Sequence, residues 1–200
     1  MRKSVKIMLV GVLLANLHNQ VSLIAMGDGG LAQDLGTVQA FLAAAQAGDI
    51  DEIRRQLDAG RNVDVVDSSG STALMCAADN GQAEIVRFLL ERGADINRQS
   101  HSGRTALMRV VLGDNTAIVR LLLEKGADLN IRTHGFYLLG CTALIMAANG
   151  TRFEMVRLLV ERDALCTAAD LDRITDPAKR QAVQAMLAER AFLQKEYILK

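Results

Sequence analysis

The sequence predicts an all-α solenoid: stacked helix-turn-helix units with finger-like turns between them and a capping helix at the C-terminal end. Three observations predict this fold. A short motif recurs at nearly constant spacing, an apolar stripe of helical period follows each copy, and half of the 200 residues are apolar, as in an ordered protein. Each helix pair can bury its apolar face only against the next pair, so the units must stack.

The recurring motif has the form Gly-x-Thr-Ala-Leu. Its copies lie at 70–75, 103–108 and 140–145, so the spacing is 33 and then 37 residues. The second half of the unit recurs too, as an apolar run that ends in Gly-Ala-Asp-x-Asn in its first two copies, and a weaker first unit lies upstream. These copies predict four repeats, at about 34–66, 67–99, 100–132 and 133–169.

The chemistry of one unit explains the motif. Thr72 can cap the first helix, because its hydroxyl can accept a hydrogen bond from a free backbone N–H of the first turn. Gly93 suits the left-handed position that ends the second helix. Apolar residues form one face of each predicted helix, namely Leu74, Ala77 and Ala78 in the first and Ile85, Val86, Leu89 and Leu90 in the second.

The period and these motifs together resemble the ankyrin repeat family over roughly residues 34–170. Two departures stand out. The family usually has Thr-Pro-Leu-His where this chain has Thr-Ala-Leu-Met or Thr-Ala-Leu-Ile, and the fourth repeat ends at 162–165 without Gly-Ala-Asp, as a terminal unit does. Asp176-Pro177 then starts a capping helix at about 176–195, with Ala182, Val183, Met186 and Leu187 expected to face the stack.

The first 27 residues have the pattern of a secretory signal peptide. A basic start, an apolar stretch at 7–17 and small residues ending at Gly27 predict export to the periplasm of a bacterium and cleavage near Gly27, followed by a short linker at 28–33. The alternative is an uncleaved anchor, although a polar step at 18–20 interrupts the apolar stretch. After cleavage no association with a membrane is expected.

The charge distribution argues against nucleic acid as a partner. Three of the 23 basic residues lie in the leader, which leaves 20 basic residues against 23 acidic ones, with no basic stripe among them. No phosphate-binding loop, metalloprotease motif or nucleophile elbow is present, and the acidic residues are scattered singly. We therefore expect no cofactor, and a binding protein rather than an enzyme.

The three cysteines have no paired spacing. Cys76 falls among core positions of a helix, whereas Cys141 falls in a turn and is expected to be exposed; one disulfide among these two and Cys166 stays open. His101 and His134 occupy the same position of consecutive fingers, with Cys141 on the third. These three residues lack the ligand spacing of known metal sites, so solvated histidines that contact a partner are the preferred interpretation, and we expect no metal.

The four extra residues before the fourth repeat form the most telling irregularity. The segment 133–140 carries Phe136, Tyr137, Leu138 and Leu139 in succession. Such a loop must either fold back onto the stack or be covered by a partner, and aromatic side chains are favoured anchors at interfaces.

The resemblance implies binding through the finger tips and the exposed face of each first helix, because ankyrin-like proteins generally bind their partners there. Carried onto this sequence, the predicted partner-binding residues are Val66, Ser68, Ser69, Ser71, Asp79, Asn80, Gln99, His101, Ser102, Arg104, Leu112, Arg132, His134 and Asn149, together with Phe136, Tyr137, Leu138 and Leu139. We expect a monomeric module that binds another protein in the periplasm. Two alternatives are an inhibitor or immunity protein of a periplasmic or cell-wall enzyme, and an accessory protein of an oxidative-stress enzyme such as catalase.

Overall fold

The structure, a computed structural model, describes residues 30–113, 115–135 and 139–198, and within these ranges the side chains of residues 36–192. The chain divides into two compact units, residues 1–39 and 40–200. The described part of the first unit is the start of a helix. The predicted signal peptide lies outside the described residues. Residues 30–33, the described part of the predicted linker, are helical.

The described residues form helices joined by turns. In chain order they are α1 (Gly30–Ala47), α2 (Ile50–Asp58), α3 (Ala73–Asp79), α4 (Ala83–Glu91), α5 (Ala106–Val110), α6 (Thr116–Glu124), α7 (Ala143–Asn149), α8 (Phe153–Glu161), α9 (Ala168–Leu171) and α10 (Pro177–Ile198). Within residues 40–198, α3 packs on α5 and α5 on α7, while α4 packs on α6 and α6 on α8. The predicted all-α solenoid is confirmed.

The first helices begin as their sequence predicts. Thr72 and Thr105 each accept a hydrogen bond through Oγ1 from the backbone N–H three residues on, at 3.3 Å, and so cap α3 and α5. The small alanines allow close packing, because Ala77 and Ala78 of α3 are fully buried between neighbouring helices.

The third unit departs from this pattern at its first helix. Val110 and Val111 replace the alanine pair, and α5 ends after five residues whereas α3 and α7 have seven. The chain then leaves the helix at Leu112, whose carbonyl oxygen accepts a hydrogen bond of 3.2 Å from Nε of Arg152 in the fourth unit. Leu112 is left 38% exposed.

Two turns of the fourth unit adopt the left-handed conformation without glycine. Thr151 has φ 61° where the second unit has Gly81, and Asp163 has φ 65° where the second unit has Gly93. The fourth unit therefore keeps the repeat geometry at two turns where its sequence has lost the glycine.

The C-terminal helix α10 covers the last unit by packing on α7 and α8. Val183 is fully buried, and Ala182, Met186 and Leu187 are half-buried on the same face. Lys179 donates a hydrogen bond of 2.9 Å through Nζ to the carbonyl oxygen of Asn149, so the start of α10 is also tied to the end of α7.

Candidate protein-binding surface

Three fingers connect the units, and each is a short hairpin. We call residues 64–72 the first finger, 97–105 the second finger and 130–142 the third finger. One backbone hydrogen bond closes each hairpin at the equivalent place. The pairs are Asp67 N to Ser71 O (3.1 Å), Ser100 N to Arg104 O (2.9 Å) and Thr133 N to Cys141 O (3.0 Å). The third finger is thus closed at its base in the same way as the other two.

Consecutive fingers are bonded to one another through their backbones. His101 N donates to Ser69 O at 2.9 Å, and Gly135 N donates to Ser102 O at 3.1 Å. The tips consequently form one continuous edge of the stack, with a fixed distance between neighbouring fingers.

Glycine is required where the backbone of one finger closely approaches the next finger. Gly103 has φ +79°, and a Cβ added there would lie 2.5 Å from the backbone N of His134. His101 contacts Gly70 of the first finger in the same way. The equivalent positions predicted for the two histidines are therefore confirmed, and both side chains remain exposed at the finger tips.

A second set of contacts runs along the other end of the finger hairpins. The side-chain oxygens of Asp64, Asn97 and Asn130 accept hydrogen bonds from backbone N–H groups of the following unit. The donors are Asp95 at 3.1 Å, Asp128 at 2.8 Å and Leu165 at 3.0 Å, respectively. This explains why asparagine ends the Gly-Ala-Asp-x-Asn motif, a role that the sequence analysis did not assign.

The predicted partner-binding residues differ in exposure. Ser68, Ser69, Asp79, Asn80, Gln99, His101, Ser102, Leu112, Arg132, His134 and Leu139 are exposed, and Val66, Arg104 and Asn149 are half-buried. Phe136, Tyr137 and Leu138 lie outside the described residues. Ser71 was expected on the surface but is only 4% exposed, because its Oγ accepts a hydrogen bond of 2.6 Å from Arg109 of the next unit.

Several of these residues also hold the stack together. Gln99 donates through Nε2 to the carbonyl oxygens of Gly103 and Arg132, at 2.8 and 3.0 Å, and thereby joins the second and third fingers. Asn149 accepts from Thr175 N at 3.1 Å and donates to Arg173 O at 3.2 Å. Substitution of either residue would disturb the fold as well as a surface.

Arg132 was predicted to contact a partner, yet its guanidinium group is bound within the chain. Nη1 and Nη2 donate to the two carboxylate oxygens of Asp170, at 2.7 and 3.0 Å, and Nη1 also donates to Gly140 O at 3.0 Å. Asp170 is 1% exposed. Hydrogen bonds from Arg132 hold the pKa of the Asp170 carboxyl well below its usual range, although burial opposes this shift.

Asp170 and α9 were missed by the sequence analysis. Thr167 Oγ1 accepts from Asp170 N at 3.3 Å, and the Asp170 carboxylate accepts from Thr167 N at 2.9 Å, which makes a capping box. The signal was present as Thr-x-x-Asp at 167–170, a pattern that marks a helix start.

The first finger contains a carboxylate whose hydrogen bonds are made within the finger. Asp67 accepts from Ser69 N at 2.8 Å, from Ser69 Oγ at 2.7 Å and from Ser71 N at 2.9 Å. Burial alone would raise the pKa of Asp67, but these hydrogen bonds and the positive charge of Arg109 lower it below its ordinary value.

The cysteines are free thiols in the structure. Cys76 lies in the core as predicted. Cys141 was expected to be exposed but is 9% exposed, because its backbone closes the third finger on Thr133. Burial raises the pKa of all three thiols, and the positive charges of Arg173 and Arg132 at Cys141, and of Arg132 at Cys166, compensate only in part.

The described residues contain no group of three or more His, Cys, Asp or Glu side chains that could hold a metal ion. In the same part of the chain, no helix is long and apolar enough to cross a membrane.

A shallow cleft of about 250 Å³ between α6 and α8 is lined by Arg120, Glu154, Arg157, Leu158 and Glu161. Its charges pair with one another, for example Arg157 with Glu161 at 3.2 Å.

Stacked helix pairs joined by aligned fingers define a class of protein, the repeat solenoids that present an extended binding surface. The family model described as Ankyrin repeats (3 copies) matches residues 17–100, 40–133 and 99–170, and its first match begins within the predicted signal peptide. The chain belongs to the ankyrin repeat family. These repeats mediate binding to other proteins, and their proteins are typically binding modules without enzymatic activity. A comparison with curated proteins finds no match.

Proposed function

We propose that this protein is a periplasmic interaction module that binds one partner protein through its fingers, the first helices and the 133–140 loop. The observation that carries the proposal is the continuous edge of finger tips. Ser68, His101, Ser102 and His134 are exposed along it, at distances fixed by backbone hydrogen bonds between neighbouring fingers. A preorganised edge loses little conformational entropy when a partner binds.

The third finger supports the loop as part of this surface. Its base is anchored, since Gly140 N donates to Thr133 O at 2.7 Å and Arg132 donates to Gly140 O. Leu139, beside this base, is 61% exposed, and three further apolar or aromatic residues precede it in the sequence. An apolar segment held at the edge of a binding surface is a suitable anchor for a partner.

The experiment is capture of the partner from a periplasmic extract, followed by affinity measurement with the two purified proteins. A bait purified from the periplasm should begin at residue 28. We expect Ser68→Trp, which obstructs the first finger, and the Phe136→Ala/Tyr137→Ala variant each to weaken binding about tenfold or more.

Matched controls place the same changes on the second helices. Arg87→Trp introduces the same indole side chain at an exposed residue of α4, and Phe153→Ala removes a ring that is 38% exposed at the start of α8. Both should bind as the unchanged protein does. Equal weakening by Ser68→Trp and Arg87→Trp would show that the fingers are not the site. A captured hydrolase that loses activity in the complex would identify the module as an inhibitor.

A further inference from the structure

The fingers differ in charge, although their backbones are alike. The first finger contains two acidic residues, Asp64 and Asp67, and no basic one. The second finger contains two basic residues, Arg98 and Arg104, and no acidic one. The sign of the charge therefore reverses between two neighbouring fingers.

The two charged fingers also differ in how their charges are satisfied. The carboxylates of Asp64 and Asp67 accept hydrogen bonds from backbone N–H groups within the stack. Among the described residues, neither Arg98 nor Arg104 forms an ion pair, and Nε of Arg104 is buried without a hydrogen-bond acceptor. The second finger thus carries two positively charged side chains that no carboxylate of the described residues neutralises.

The equivalent position in the preceding unit shows why Arg104 is unpaired. Arg104 occupies the place of Ser71, whose hydroxyl meets the guanidinium group of Arg109 in the following unit. In the unit that follows Arg104, the residue equivalent to Arg109 is Met146, which is 4% exposed and offers no carboxylate. A half-buried guanidinium without an ion-pair partner binds an added carboxylate more strongly than a fully solvated one does.

We propose that the second finger is the charged contact of the binding surface and that it receives a carboxylate-bearing segment of the partner protein. The inference rests on the proposed function and states the chemistry of its partner. Arg104 pairs with a carboxylate at the base of the finger, and Arg98 adds a second, exposed positive charge. The third finger, with Leu139 61% exposed, lies on one side and the acidic first finger on the other, so an acidic segment followed by apolar residues fits in one direction.

A protein segment fits this surface better than a nucleic acid. The cationic patch is one finger wide, and Asp64 and Asp67 of the neighbouring finger would face the phosphates of an extended polynucleotide. Arg132 of the third finger adds little positive charge, because Asp170 neutralises it. Binding of a polyphosphate chain requires several neighbouring cations that neutralise successive phosphates.

The test uses the isotope-labelled full chain and three probes: a short peptide of alternating Glu and Leu, the same peptide with Lys in place of Glu, and a single-stranded oligothymidylate. Binding is followed by amide chemical shifts at about 50 mM NaCl, where screening is modest. We expect the Glu peptide to shift the amides of residues 97–105 most. Arg98→Glu/Arg104→Glu should lower its affinity about fivefold or more.

The matched control is Arg54→Glu/Arg87→Glu, which makes the same charge change at two exposed residues of α2 and α4 and should lower affinity less than about twofold. An equal loss in both variants would overturn the inference. So would preferred binding of the Lys peptide or of oligothymidylate, or no probe shifting residues 97–105. The capture experiment changes residues 68, 136 and 137 and none of the arginines. A negative result with the peptides would therefore overturn this inference without deciding the proposed function.

Discussion

The junctions between fingers and the junction at the C-terminal end of the stack are built differently. Neighbouring fingers are joined by a backbone hydrogen bond and by a histidine that stands over a glycine, as His134 stands over Gly103. At the end of the stack the side chain of Arg173 lies against Gly140, and the ion pair between Arg132 and the buried Asp170 joins the third finger to α9. Close backbone contacts therefore join the units where the repeat motif recurs. Charged side chains join the chain where the motif is lost.

The first prediction adds one methyl group at each kind of junction, and it includes the largest expected change in the free energy of unfolding. Gly103→Ala should lower the free energy of unfolding by about 3 kcal/mol, because a left-handed backbone is combined with a clash against the backbone of His134. Gly140→Ala should cost about 1 kcal/mol, since its φ is similar but its neighbour is the movable side chain of Arg173. Urea unfolding followed by circular dichroism measures both.

Gly126→Ala is the control for this comparison, because its φ is +86° and no atom lies within 4 Å of the added methyl group. It should behave like Gly140→Ala. Equal losses at Gly103 and Gly126 would mean that the finger contact adds nothing to the conformational effect, and the contrast between the junctions would then disappear.

The second prediction breaks the C-terminal junction. Asp170→Asn should lower the free energy of unfolding by about 2 kcal/mol, because the neutral amide pairs poorly with Arg132, although the arginine is half exposed and water partly compensates. Glu161→Gln, in an exposed ion pair with Arg157, should change the free energy of unfolding by less than about 0.5 kcal/mol.

The pH dependence tests the cause of that loss. A carboxyl group whose pKa is lowered by folding stabilises the protein above its unfolded pKa, and this contribution is lost as pH falls through the folded pKa. The difference in stability between the unchanged protein and Asp170→Asn should therefore be constant above about pH 4 and shrink only below it. A difference that vanishes near neutral pH would contradict the ion pair as its source.

The smallest expected change in stability concerns the hydrogen bonds that the side chains of Asp64, Asn97 and Asn130 accept from the following unit. We call this set the asparagine ladder. Asn97→Ala removes the acceptor for Asp128 N in the next unit and should cost about 1 kcal/mol. Asn62→Ala removes an exposed hydrogen bond to Asp64 N within one turn and should cost less. Thermal unfolding compares the two, and an equal cost would show that the ladder is no stronger than a local turn.

The sequence predicted the repeated part of the fold well because each signal there is local. Thr72 caps the helix that follows it, and Gly93 has the left-handed conformation expected of a helix-ending glycine. Both features depend only on neighbouring residues. The two helices of each unit were also predicted from a local signal, the helical period of their apolar residues.

The contacts that the sequence did not predict are side-chain pairs between units. Arg132 and Asp170 are 38 residues apart, and nothing in their separate contexts indicates that they meet. Ser71 looked like surface because serine is usually exposed, yet Arg109 of the next unit covers it. The partner-binding residues remain predictions, since a repeat scaffold fixes which positions are exposed but not which ones a partner contacts.

The neighbour-to-neighbour bonding of the fingers and units also has a consequence for folding speed. The hydrogen bonds that link one unit to the next join residues 30 to 40 positions apart, as in Gln46–Cys76 and Leu112–Arg152. Each unit can therefore dock after closing a loop of about one repeat length, and the entropy lost in that step is similar along the stack because it depends only weakly on loop length. We therefore expect the folding rate to depend more on the length of one repeat than on the number of repeats.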